Sequence, residues 1–183
     1  MATSVLISAF LQSEHFAVVG ASVNRAKIGY NIYINTKNTM YIYIYKDISF
    51  IYTANKLFLH DMHLYIYMIR NRVLRYYQDH KLSVFPIHRS EPEIEGSKTY
   101  TSVPSIFEQN PHVNAANISI SFITPPAVTL NILKTFAPHD ITERIWLQPG
   151  AESEEVVAYA QQQGLSIIYG GPCVLLQPGP SKQ

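Results

Sequence analysis

Cysteine is nearly absent from this chain: Cys173 stands alone among 183 residues. An internal disulfide and a cysteine-built metal site are therefore excluded, which points to a reducing compartment. Net charge is almost absent as well, +1 at neutral pH, so there is neither a basic footprint for nucleic acid nor an acidic tail. No uninterrupted apolar run reaches the roughly 18 residues that a membrane helix needs. The stretch from Met1 to Gln12 lacks the basic start of a secretory signal and the arginines of a transit peptide. It reads as a short helix beside the first strand, and the expected location is cytoplasmic. A more local absence concerns residues 32–71, which hold none of the chain's eight glycines and none of its eleven prolines.

A recognisable catalytic arrangement is also missing. The seven histidines are scattered, and no Ser-His-Asp or Cys-His order has its defining local motif. His60 and His63 have ligand-like spacing, but no third ligand stands nearby. His88, Trp146, Gln148 and Cys173 fall at or near predicted strand ends, where each reads equally well as a structural residue. No catalytic residue and no metal ligand is assigned.

What is present is an alternation of apolar strands and amphipathic helices. Predicted strands cover 16–21, 83–88, 117–123, 144–148 and 166–169, with a sixth short one at 174–176. Ser102 is placed to cap a helix with Pro104 in its first turn. Val128, Ile132, Leu133 and Phe136 make one apolar stripe. Helix 152–163 turns Val156, Val157 and Ala160 inward and stops at Gly164. Such a pattern predicts an α/β, Rossmann-like fold: an open, mostly parallel sheet of five to six strands with helices on both faces. Ligands of such folds lie beyond the carboxyl ends of the strands at the topological switch point.

The first strand runs into Gly20-Ala21-Ser22, a strand-to-helix turn of the kind that aims backbone N–H groups at a phosphate. It is not a full dinucleotide fingerprint, because Ser22 and Arg25 stand where the second and third glycines would be. NAD folds also place an acid after the second strand for the ribose hydroxyls, whereas here that strand ends in Ile87-His88-Arg89. A base suits an extra ribose phosphate, as in coenzyme A or NADP.

Residues 32–71 interrupt this order with a run crowded with Tyr and Ile, lacking turn residues and a consistent period. Joining Asn31 to Arg72 places Tyr30, Val73, Leu74 and Tyr77 at i, i+3, i+4 and i+7, the missing first crossover helix. An asparagine lies at each edge of the removable piece, so the join is ambiguous by one residue. Tyr and Ile codons are AT-rich, so translation of a retained intron is the preferred origin, with a genuine insertion as the alternative. The expected organisation is one domain over 1–183, interrupted at 32–71.

With that join made, the chain resembles the small CoA-binding-domain family and, more distantly, the CoA-binding domain of succinyl-CoA synthetase alpha subunits. The residues carrying the resemblance are Phe16 to Ser22 with Lys27 and Gly29, Val84 to His88, Gly96 with Thr99 to Phe107, and Ile120 to Pro126. Further on they are Ile145 to Gly150 with Glu154 and Glu155, and Gly164 to Cys173. The resemblance implies that CoA phosphates are held by Gly20, Ala21, Ser22, Val23, Asn24 and Arg25, with Lys27 beside them. It implies that Arg89 serves the nucleotide half and that Ile123, Thr124, Pro125 and Pro126 close over the cofactor. It brings no ligase domain with it, so the expected function is a non-catalytic CoA or acyl-CoA binding module. The alternatives are an NADP-binding oxidoreductase-like domain and a non-functional splice product.

Overall fold

The structure is a computed structural model that describes residues 3–22, 30–35, 40–45, 48–53 and 71–179. In chain order its elements are α1 (Thr3–Leu11), β1 (His15–Val19), β2 (Tyr30–Asn35), β3 (Met40–Tyr45), β4 (Ile48–Thr53) and α2 (71–79). Then come β5 (Ser83–Ile87), β6 (Glu93–Ile94), β7 (Ser97–Lys98), α3 (Val103–Gln109), β8 (Ile118–Phe122), α4 (Pro126–Leu133), β9 (Ile145–Leu147), α5 (Glu154–Gln162) and β10 (Ile167–Ile168). Five of the strands form one wholly parallel sheet in the order β5-β1-β8-β9-β10. Counted along the chain that order is 2-1-3-4-5, so the direction of winding reverses between β1 and β8.

Period-two alternation sends each strand's side chains to two separate cores. Phe16, Val18, Trp146 and Ile168 pack with Phe10 of α1 and with Val73, Leu74 and Tyr77 of α2. Ala17, Val19, Ile120, Phe122 and Leu147 pack on the other face with α3, α4 and α5 through Ile106, Leu133 and Val156. Helices thus cover both faces, as a parallel sheet requires. β8 reads Ile-Ser-Ile-Ser-Phe, and its two buried serines are explained by the helices above them. The Ser119 hydroxyl donates to the Phe10 carbonyl at 2.8 Å, and Ser121 shares a 2.8 Å hydrogen bond with the Tyr77 hydroxyl.

Tyr77 is fully buried and stacks on Phe16 with ring centroids 4.6 Å apart. Burial pushes its hydroxyl far above the usual tyrosine range, so it stays protonated and able to donate. Removing the hydroxyl in Tyr77→Phe leaves Ser121 without this partner in a dry setting. The expected cost is about 1–3 kcal/mol in urea denaturation. An unchanged midpoint would show that the pair contributes nothing to stability.

Local signals explain several boundaries. Ser102 caps α3 through a reciprocal capping box with Ser105, and Ser153 caps α5 by accepting from the Val156 N–H. Gly164 takes φ +67° just beyond α5, a conformation that favours glycine. Other expectations are corrected. The inward stripe of α4 consists of Thr129, Leu130 and Leu133, continued by Phe136, while Val128 is exposed. Thr129 takes the inward place because its hydroxyl meets Thr124 and the Pro125 carbonyl. Val174–Leu176 is a 3-10 turn and not a sixth strand. Beyond β5, where no strand is predicted, lies a small hairpin, β6 paired with β7.

Residues 32–71 contain strand where no period was apparent. β2, β3 and β4 form an antiparallel sheet of their own, outside the five-stranded one. Tyr30 therefore lies in β2 and not on the first crossover helix, whereas Val73, Leu74 and Tyr77 do form the buried face of α2. The pair His60 and His63 lies outside the described residues.

Candidate ligand site at the switch point

At the carboxyl end of β1 the chain turns on Gly20, whose φ is +99°. Its N–H reaches the Ile87 carbonyl at 3.3 Å, which ties the turn to the end of β5. A Cβ built at Gly20 would stand 2.7 Å from the Thr124 methyl and 3.2 Å from the Ile123 carbonyl oxygen. The backbones leaving β1 and β8 therefore meet at the switch point, and only glycine permits that approach. Ala21 and Ile123 are fully buried in the core under α2. The Ser22 N–H donates to the Asn71 Oδ1 at 3.2 Å.

The turn after β8 is fastened from within. Thr124 and Thr129 share a 2.7 Å hydroxyl contact, and the Pro125 carbonyl accepts from the N–H groups of Val128 and Thr129. Pro125 and Pro126 carry no N–H of their own, so they present ring surface and no backbone donor. That suits an apolar wall over a ligand rather than an anion-binding turn. Arg89 lies exposed in the bend two residues beyond Ile87, where the edge strand next to β1 ends. Val23, Asn24, Arg25 and Lys27 lie outside the described residues. Of the residues singled out from sequence, the structure brings Gly20 together with Ile123 and Thr124, while Arg89 lies two residues beyond the Ile87 carbonyl that the Gly20 N–H meets.

The other strand ends are occupied by the chain's own contacts. The His88 Nδ1 accepts the N–H groups of Ser90 at 3.3 Å and Glu91 at 3.0 Å, a structural role. The Trp146 Nε1 donates to the Pro172 carbonyl at 3.0 Å. The Gln148 Oε1 accepts the Val174 N–H at 3.0 Å, next to the buried Cys173. Among the described residues, the Gln148 Nε2 is the one buried side-chain polar atom without a hydrogen-bond partner. An acceptor from outside the chain, water or ligand, would complete it. Burial pushes the Glu152 carboxyl up, opposed by backbone N–H groups, among them that of Gly150, which donates to the Glu152 Oε2 at 3.2 Å. No group of three or more His, Cys, Asp or Glu that could hold a metal occurs among the described residues. No helix among them is long and apolar enough to cross a membrane.

Sequence reading passes over Asn71 and Glu95. Asn71 marks only the edge of the suspect segment, and Glu95-Gly96 is a weaker turn signal than Asn-Gly. Both adopt their importance through contacts between distant parts of the chain.

Similarity to known proteins fits this geometry. A conserved hypothetical protein from Pyrococcus furiosus is 25% identical, with a TM-score of 0.52 over 84% of this chain and 90% of that one. A hypothetical protein from Pyrococcus horikoshii shares the fold at 16% identity, with a TM-score of 0.58 over 96% of this chain and 88% of the other. A Thermus thermophilus protein does so at 15% identity, with a TM-score of 0.52 over 92% of this chain and 90% of its own. No curated protein matches. The sequence model of the CoA binding domain matches residues 70–177, a span that takes in every element from α2 to the 3-10 turn at Val174–Leu176. That span is more than half of the chain, and the chain belongs to the CoA binding domain family.

Proposed function

We propose that this protein is a non-catalytic module that binds CoA or an acyl-CoA across the carboxyl edge between β1 and β8. The observation carrying this reading is the meeting of Gly20 with Ile123 and Thr124 at the switch point of a CoA-binding-family sheet. In this reading the phosphates lie on the loop that begins at Gly20, Ala21 and Ser22 and continues through Val23, Asn24 and Arg25 to Lys27. Arg89 meets the ribose phosphate, and Ile123 to Pro126 form the wall over the cofactor. The domain spans 1–183 with residues 32–71 as an interruption. The family match beginning at 70, and the separate sheet made by β2, β3 and β4, support that division.

A ligand that binds only the folded state must raise the melting temperature. At a hundredfold excess over Kd the gain is about 2.7 kcal/mol, or roughly 5–10 °C for a domain of this size. CoA is expected to give that rise with the chain joined from Asn31 to Arg72, and NAD and NADP much less. Arg89→Ala is expected to weaken CoA about three- to tenfold while leaving dephospho-CoA unchanged, since only the former carries the ribose phosphate. A larger rise with NADP would favour a nicotinamide-dependent domain, and no rise with any of these nucleotides would end the reading.

A further inference from the structure

α2 presents two faces. Val73, Leu74 and Tyr77 enter the core, while Asn71, Arg75 and Gln78, at i, i+4 and i+7, all reach the hairpin made by β6 and β7. The Asn71 Nδ2 donates to the Glu95 Oε1 at 2.8 Å, and the Arg75 Nη1 lies 3.4 Å from the same oxygen. The Gln78 Nε2 donates to the Glu95 carbonyl at 3.0 Å and to the Ser97 hydroxyl at 2.9 Å. Glu95 is held at φ +50° with its side chain only 3% exposed. A carboxylate this enclosed, with Asn71 and Arg75 among the donors it faces, is a fixed reference charge.

We propose that Glu95 and Asn71 are positioning residues for the phosphate loop, acting as a directional relay from the hairpin to the Ser22 N–H. The inference rests on the CoA-binding reading above. A carboxamide has a donor end and an acceptor end. With Nδ2 drawn to the Glu95 carboxylate, Oδ1 must face the Ser22 N–H, where it accepts at 3.2 Å. Turned over, the carboxamide would set donor against donor at Ser22 and acceptor against acceptor at Glu95. The Glu95 charge thus fixes the orientation of Asn71, and Asn71 fixes where the loop leaves the sheet. Together with the Gly20 N–H on the Ile87 carbonyl, this holds the first part of the proposed phosphate loop at two of its own residues, Gly20 and Ser22.

The test reverses the relay in the full chain. Asn71→Asp keeps an oxygen for the Ser22 N–H but sets carboxylate against carboxylate at Glu95. It is expected to weaken CoA at least tenfold by calorimetric titration, carried out well below each variant's melting temperature. Adding Glu95→Gln to that variant supplies an amide donor toward the new carboxylate and is expected to restore affinity to within threefold of the parent. Glu95→Gln alone removes the charge that orients Asn71, since its carboxamide can turn either end toward it, and is expected to weaken CoA about three- to fivefold. Rescue of this kind reports orientation, because a merely structural role would leave the double variant no better than the single one. If Asn71→Asp binds CoA like the parent, or if the double variant is as weak as the single, the relay is overturned. If the full chain alone fails to bind CoA, the same variants in the chain joined from Asn31 to Arg72 decide the relay; if both parents fail to bind, the CoA-binding reading falls and the relay falls with it.

Discussion

Gly20→Val is expected to abolish CoA binding and to destabilise the folded protein by about 3–5 kcal/mol. Two costs add. A β-branched residue at φ +99° is strained wherever it occurs. Its Cβ would also press on the Thr124 methyl at 2.7 Å and on the Ile123 carbonyl oxygen at 3.2 Å. From sequence, the same substitution is expected to block the phosphate while leaving most of the fold intact. The structure changes that expectation, because the space beside Gly20 is filled by the end of β8 and not by ligand alone. Loss of binding in this variant therefore does not locate the phosphate. Gly20→Ala with Thr124→Ser separates the causes, since serine keeps the hydroxyl for Thr129 and removes the obstructing methyl. The pair is expected to be more stable than Gly20→Ala alone in chemical denaturation. A Gly20→Val protein that melts within a degree or two of the parent would show that the two backbones do not meet as described.

The chain joined from Asn31 to Arg72 is expected to be several-fold more soluble than the full chain and to bind CoA about tenfold more tightly. Loop closure has little part in this, since each doubling of loop length costs only about 0.6 kcal/mol. Composition and placement decide it. β2, β3 and β4 contain no charged residue, and their sheet has β2 and β4 as open edges. Uncharged Tyr-Ile strands with open edges invite pairing between molecules. The segment also stands between the phosphate loop and α2, whose packing through Val73, Leu74 and Tyr77 supports that loop. Soluble yield after expression and a CoA titration of both proteins decide the matter. Equal solubility and equal affinity would make residues 32–71 a tolerated excursion and not a disruptive one.

The five parallel strands were legible because strands buried on both faces read as short apolar runs, as in Phe16 to Val19 and Ile145 to Leu147. Ser102 and Gly164 marked helix ends through local chemistry that does not depend on the rest of the fold, whereas the cap at Ser153 was passed over and α5 begins at Glu154, two residues later than expected. The inward face of α4 was not legible, because burying Thr129 depends on Thr124 and Pro125, which lie in the turn before the helix. Val174–Leu176 offered three apolar residues and no period, too little to separate a strand from a 3-10 turn. At the site, Gly20 and the Thr124 to Pro126 turn were visible as motifs. Their contact depends on the winding reversal between β1 and β8, which sequence spacing does not encode. Asn71 and Glu95 are 24 positions apart and were invisible for the same reason.

The hydrogen bond from Asn71 to the loop bears on how the chain tolerates excision. Asn31 and Asn71 border the Tyr-Ile segment with the same side chain. Cutting from Ile32 through Asn71 leaves Asn31 directly before Arg72, and cutting one position earlier leaves Asn71 there instead. Either seam yields the same polypeptide, so the deletion is silent at the residue that orients the loop. The shortened protein inherits its carboxamide from the opposite border, with Arg72 and the whole register of α2 behind it unshifted.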